Sequence, residues 1–146
     1  MFFKKIFAVL ISGIVLCTSM TVSAYAETTS SFVNSGISPA YEIANETKSI
    51  LSIIGQTAYC TSNTSGIDVV SITVEQTLQK QGFLWLWYGV DDGSWTTTVN
   101  KSAVSVDNTK NGLTNGKYRL KSVFTLTDST GKTETITIYS AEKSVG

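Results

Sequence analysis

Val69-Val70-Ser71-Ile72-Thr73-Val74-Glu75-Gln76-Thr77-Leu78-Gln79 decides the fold. Apolar and polar side chains alternate along it with a period of two, the pattern of a β-strand with one face in a core and one in water. Val70, Ile72, Val74 and Leu78 fall on one face; Ser71, Thr73, Glu75 and Thr77 fall on the other. Gln76 is the polar member of the apolar face, so it needs a hydrogen-bonding partner or a place at a sheet edge.

Working outward, the same reading recurs every ten to fifteen residues or so, the spacing of a sandwich or barrel. Upstream, Lys48 to Ile53 and Gln56 to Ser62 read as strands separated at Gly55, with Leu51 and Ile53, then Ala58 and Cys60, in phase. Asn63 to Gly66 reads as a turn. Downstream, Lys80-Gln81-Gly82 turns the chain into an apolar run, Phe83 to Tyr88, and Asp91-Asp92-Gly93 makes the next turn. Trp95 to Val106 reads as a weaker strand. Asn111-Gly112 and Asn115-Gly116 are turn signals. Tyr118, Leu120, Phe124 and Leu126 share a face of the following strand. Asp128 to Gly131 is a hairpin loop, and Lys132 to Tyr139 closes the series with Ile136 and Ile138 inward. The expectation is an all-β, antiparallel sandwich of about seven strands.

Asn115-Gly116-Lys117-Tyr118-Arg119-Leu120 resembles the entry into the sixth strand of immunoglobulin-like and fibronectin-type sandwiches. There a tyrosine hydroxyl bonds back to the chain just upstream. The resemblance implies an immunoglobulin-like fold with Tyr118 in that role. Immunoglobulin domains carry a cysteine two residues later, where this chain has Leu120, so no inter-sheet disulfide is implied. The chain also resembles small secreted β-sandwich proteins of clostridia and related Gram-positive bacteria, over roughly residues 48–141. Ala58-Tyr59-Cys60, Thr77 to Lys80, Gly116 to Lys121 and Glu134 to Thr137 carry that resemblance. It implies export and brings no assigned activity.

The start of the chain agrees. Lys4 and Lys5 precede an apolar run from Ile6 to Cys17, then a polar stretch and Ala24-Tyr25-Ala26. This is the order of a secretory signal peptide. The run is too short for a bilayer span, which needs about 20 residues. Cleavage fits after Ala24 or Ala26, and Ala26 is preferred because both specificity positions are then alanine. Cys17 is a poor lipidation site because the large Leu16 precedes it. The expected organisation is a signal peptide at 1–26 (its apolar run helical), a flexible lead-in at 27–46 and a sandwich at 47–146. The expected location is outside the cell or on a Gram-positive surface.

Composition removes several classes of function. Lys4 and Lys5 leave with the leader, so nine of eleven basic residues remain against all eleven acidic ones, a net charge of −2. No basic stripe suggests nucleic acid, and the membrane is expected to be met only through the leader. The chain has no histidine. Ser-His-Asp and Cys-His catalysis, ordinary zinc sites and the usual pH switch therefore drop out. No cofactor and no metal is expected. Calcium at Asp91 and Asp92 lacks the further spaced acids it would want, so a solvated turn is the better reading. Cys60, the one cysteine after cleavage, is either a small buried apolar residue or half of an intermolecular disulfide.

Phe83-Leu84-Trp85-Leu86-Trp87-Tyr88 is the stretch composition does not explain. As a strand it would set Phe83, Trp85 and Trp87 on one face and Leu84, Leu86 and Tyr88 on the other, both apolar. Either Trp85 or its neighbours plug the core while residues 27–46 or a long loop cover the other face, or one face stays bare and binds something. The candidate binding residues are Phe83, Trp85, Trp87 and Trp95, with Asp91 and Asp92 beside them. The leading expectation is a secreted, non-catalytic binding module for a cell-envelope polysaccharide or an extracellular protein. A self-assembling surface component is the alternative, with oligomeric state open. A small hydrolase using carboxylates alone is the weakest reading.

Overall fold

The computed structural model describes residues 41–146. The leader, the cleavage site at Ala26 and residues 27–40 of the expected lead-in lie outside the described residues. Eight strands form: β1 (Ala44–Ile54), β2 (Thr57–Gly66), β3 (Val69–Gln81), β4 (Trp87–Val99), β5 (Ala103–Lys110), β6 (Gly116–Asp128), β7 (Thr133–Tyr139) and β8 (Lys143–Val145). One sheet has the order β1-β2-β5. The other has β4-β3-β6-β7, with β8 also pairing β6. All pairings are antiparallel. This is an antiparallel, immunoglobulin-like β-sandwich, with two sheets enclosing the core between their inner faces. β7 and β8 act as one closing strand interrupted at Ser140. There the Ser140 N–H donates to the Leu120 carbonyl, and the Leu120 N–H donates to Ser140 Oγ, both at 2.9 Å.

Tyr118 is buried at the start of β6, and its hydroxyl donates to the Thr114 carbonyl at 2.6 Å. The hydrogen bond closes the loop from β5 just upstream, as the resemblance to this fold class implies.

Several boundaries differ from the sequence reading, each for a local reason. The first strand begins at Ala44 rather than Lys48, so the end of the expected lead-in belongs to the sandwich. The Glu134 carboxylate on β7 accepts the backbone N–H groups of Glu42, Ile43 and Ala44 at 3.0–3.1 Å, and Ile43 and Ala44 are buried. β2 runs through the expected turn at 63–66, because those residues pair with β1 on one side and β5 on the other. A bulge between Val69 and Ser71 turns Val69 inward and Val70 outward. The expected strand from Trp95 to Val106 is split at 100–102, where the chain leaves one sheet for the other.

The core has two apolar clusters. Ile72, Val74, Phe124, Leu126, Ile136 and Ile138 centre the first; Leu51, Cys60, Leu78, Tyr118, Leu120 and Val145 centre the second. Between them runs a belt of polar side chains. Asn108 Nδ2 donates to Gln76 Oε1 at 2.7 Å, and Gln76 Nε2 donates to Ser62 Oγ at 2.7 Å. Ser62 and Ser122 share a 2.7 Å hydrogen bond, as do Ser122 and Ser49, and Ser49 Oγ donates to the Leu120 carbonyl at 3.3 Å. Each hydroxyl has one proton. The last bond therefore fixes the direction of the rest: Ser122 donates to Ser49, and Ser62 to Ser122. Gln76 also reaches the carbonyls of Val106 at 3.2 Å and Cys60 at 3.4 Å. The partner that Gln76 requires is this belt. Among the described residues, no buried side-chain nitrogen or oxygen lacks a partner.

Candidate functional site

Phe83 to Tyr88 does not form a strand. Phe83–Trp85 makes a single 3-10 turn at the tip of the β3–β4 hairpin. Gln81 and Trp87 are the last paired residues. The Gly82 N–H donates to the Leu86 carbonyl at 2.8 Å and closes the loop. Tyr88 lies so close over Gly82 that a Cβ there would stand 2.7 Å from its ring, which accounts for a glycine at this position.

The tip breaks two ordinary rules at once. Leu84 (φ 56°) and Trp85 (φ 58°) are both left-handed, a conformation that bulky residues seldom adopt and that costs about 1–2 kcal/mol each. The same segment is open to solvent: Phe83 is 82 % exposed, Trp85 77 %, Leu84 63 % and Leu86 54 %. The core-plug reading of Trp85 is overturned. Two consecutive left-handed residues reverse the chain within the loop and splay its side chains away from the sandwich.

The structure does not gather the expected site residues on one platform. Phe83 and Trp85 share the tip. Trp87 is half-buried on the outer face of its sheet, its ring 4.4 Å from the Arg119 guanidinium carbon. Tyr139 flanks the same guanidinium at 4.1 Å, and Arg119 Nε donates to Gln79 Oε1 at 2.8 Å. This stack spans β4, β3, β6 and β7 at the base of the hairpin and fixes it. Trp95 is half-buried and packs against the second core cluster at the β4 edge. It belongs to the core margin and does not extend the tip.

Asp91 and Asp92 sit in a bulge rather than a hairpin turn. Thr77 pairs with Ser94 and Gln79 with Gly89, so Leu78 alone faces the four residues 90–93. Asp92 is left-handed (φ 53°), and Gly93 is buried where a Cβ would meet the Val90 carbonyl at 2.9 Å. Both aspartates are exposed. Among the described residues, no three His, Cys, Asp or Glu side chains gather closely enough to hold a metal ion.

Beside the tip lies an open cleft of about 630 Å³. Lys80, Tyr88 and Asp91 line one wall; Lys110, Leu113 and Thr114 line the other. Lys80 Nζ donates to Thr114 Oγ1 at 2.7 Å across it. Sequence reading missed this cleft, because its walls come from segments some thirty residues apart. Cys60 is buried, and burial pushes its thiol up to about 12 from an ordinary 9.0. A thiol so enclosed is neutral near pH 7 and out of reach of a partner chain.

No protein-family model and no curated protein matches the chain. Three solved structures of OgpA from Akkermansia muciniphila are similar to part of it. The catalytically inactive form, in complex with an O-glycopeptide (glycodrosocin) substrate, is 14 % identical over 71 % of this chain and 32 % of that one, with a TM-score of 0.37. The wild type in two crystal forms is 12 % and 13 % identical, over 70 % and 75 % of this chain, each with a TM-score of 0.38. This chain spans about a third of the length of OgpA.

Proposed function

We propose that the protein is exported and acts as a non-catalytic binding module, with the β3–β4 tip as its contact surface. The leader pattern at 1–26 and the resemblance to secreted clostridial proteins support export. One observation carries the binding reading: strain and apolar exposure fall on the same residues. Leu84 and Trp85 hold an unfavourable backbone conformation, and the result is that large apolar side chains stand in water. Nothing in the sandwich gains from this, so the gain lies in what the tip meets. The stack of Trp87, Arg119 and Tyr139 holds the hairpin base in place, which lowers the ordering cost of binding.

The partner is a component of the cell envelope or an extracellular protein. The burial of Cys60 speaks against a disulfide route to self-assembly, and the bulge at 90–93 against strand pairing at the β4 edge. The test is retention on isolated cell envelope, comparing the native chain with a Phe83→Ser, Trp85→Ser variant. Loss of retention with an unchanged unfolding midpoint supports the tip as the contact. Equal retention of a folded variant sinks it.

A further inference from the structure

We propose that the tip seats the domain in the interface of an anionic phospholipid bilayer, an inference that rests on the tip being the contact surface. Three observations favour a lipid surface over a polysaccharide or a protein.

The first is shape. Phe83, Leu84, Trp85 and Leu86 all stand exposed at a hairpin end, and none lines the adjoining cleft. A sugar ring wants a flat aromatic face with polar groups beside it, and a protein wants a complementary surface. A fluid apolar medium accepts splayed side chains as they are. The second is composition. Residues 82–90 carry no charge, and the run holds Phe, Leu, Trp and Tyr, the side chains that settle at a membrane–water boundary. Ile54, at the β1–β2 turn of the same end, is also well exposed.

The third is charge. The polar belt divides the described residues into two halves. The half with the tip holds Lys80, Lys110, Lys117, Arg119, Lys121 and Lys143 against only Asp91, Asp92 and Glu142. The other half holds Lys48, Lys101 and Lys132 against six carboxylates, Glu42, Glu46, Asp68, Glu75, Asp128 and Glu134, while Asp107 lies level with the belt. A nearly neutral domain is therefore strongly polarised, with its basic pole behind the apolar tip. That is the arrangement in which apolar side chains enter the headgroup–acyl boundary while lysines face the phosphates. Among the described residues, Lys110, Lys121 and Lys143 make no ion pair, which leaves them to face headgroups.

The test is co-sedimentation of the chain from residue 27, which contains every described element, with two kinds of vesicle. One is phosphatidylcholine alone; the other includes phosphatidylglycerol. Partition is expected to be at least about tenfold stronger onto the anionic vesicles, and to weaken at about 0.5 M salt. The Phe83→Ser, Trp85→Ser variant is expected to lose about tenfold or more. Ile67→Ser, an exposed apolar site at the opposite pole, should partition like the native chain. No sedimentation, or equal sedimentation of the native chain and a folded tip variant, overturns the inference. If the native chain ignores vesicles but the tip variant loses retention on wall polysaccharide or an envelope protein, the lipid proposal falls and the binding module stands. A tip variant that matches the native chain in every arm removes both.

Discussion

The belt and the tip reverse the usual distribution of side chains in opposite senses. At the belt, Asn108, Gln76, Ser62, Ser122 and Ser49 place polar groups in the middle of the sandwich. At the tip, Phe83 to Leu86 place apolar groups in water. The belt is closed: among the described residues no buried side-chain nitrogen or oxygen lacks a partner, so burial costs little. The tip is open: more than half of the surface of each of its four apolar residues stays in water. The fold completes the first misplacement by itself; the second is the one left for the proposed partner.

Breaking the belt should give the largest effect. Gln76→Leu removes the donor to Ser62, Val106 and Cys60 and the acceptor of Asn108, so stability in denaturant unfolding should fall by about 2–4 kcal/mol. A loss below about 1 kcal/mol would show that the belt is not a closed network. Ser122→Ala leaves the Ser62 proton without its acceptor and Ser49 without its donor, and should cost about 1–2 kcal/mol in the same measurement.

The tip should respond the other way. Leu84→Gly relieves a left-handed leucine and loses some backbone order in the unfolded reference, so the net change is between zero and a gain of about 1 kcal/mol. A clear loss would mean that Leu84 packs against the sandwich, and the contrast with the belt would collapse. The smallest signal at neutral pH comes from Cys60, in the cluster beside the belt. Alkylation should follow global unfolding only. Its thiol ionises near 9.0 when unfolded and about 12 when folded. The folded state therefore holds the proton more tightly, and this contribution is intact below pH 9 and declines as pH rises toward 12. Alkaline unfolding of Cys60→Ala should lack that decline.

Much of the sandwich is legible in the sequence because a period of two is a local signal. Ile72, Val74, Gln76 and Leu78 face inward as the alternation requires, and so do Tyr118, Leu120, Phe124 and Leu126. Gln76 even announces the belt, although Ser62 and Ser122 do not stand out in a chain so rich in serine. Bulges defeat the same signal: Val69 replaces Val70 on the inner face because one unpaired residue resets the phase. The tip stands out in the sequence as anomalous, yet its residues read as a strand. Its two apolar faces fit no sandwich strand, yet neither Gly nor Asn marks Leu84 and Trp85 as left-handed, so nothing local reveals the turn. Trp87 and Trp95 share the aromatic signal of Trp85, and only tertiary neighbours (Arg119 for one, the core margin for the other) separate their roles.

The belt also bears on how the strands find their alignment. Alternation forbids a slip of one residue, because every side chain would change face. A slip of two keeps every side chain on its face, and the strands β2, β3 and β6 are long enough to allow it. Ser62, Gln76 and Ser122 are the marks that exclude it. A two-residue displacement of β3 or β6 would slide Gln76 or Ser122 into one of the apolar clusters and leave its former partners dry and unpaired, and Ser62 ties β2 to the same row. In a chain whose strand faces are otherwise monotonous, one hydrogen-bonded row indexes three strands to a common position.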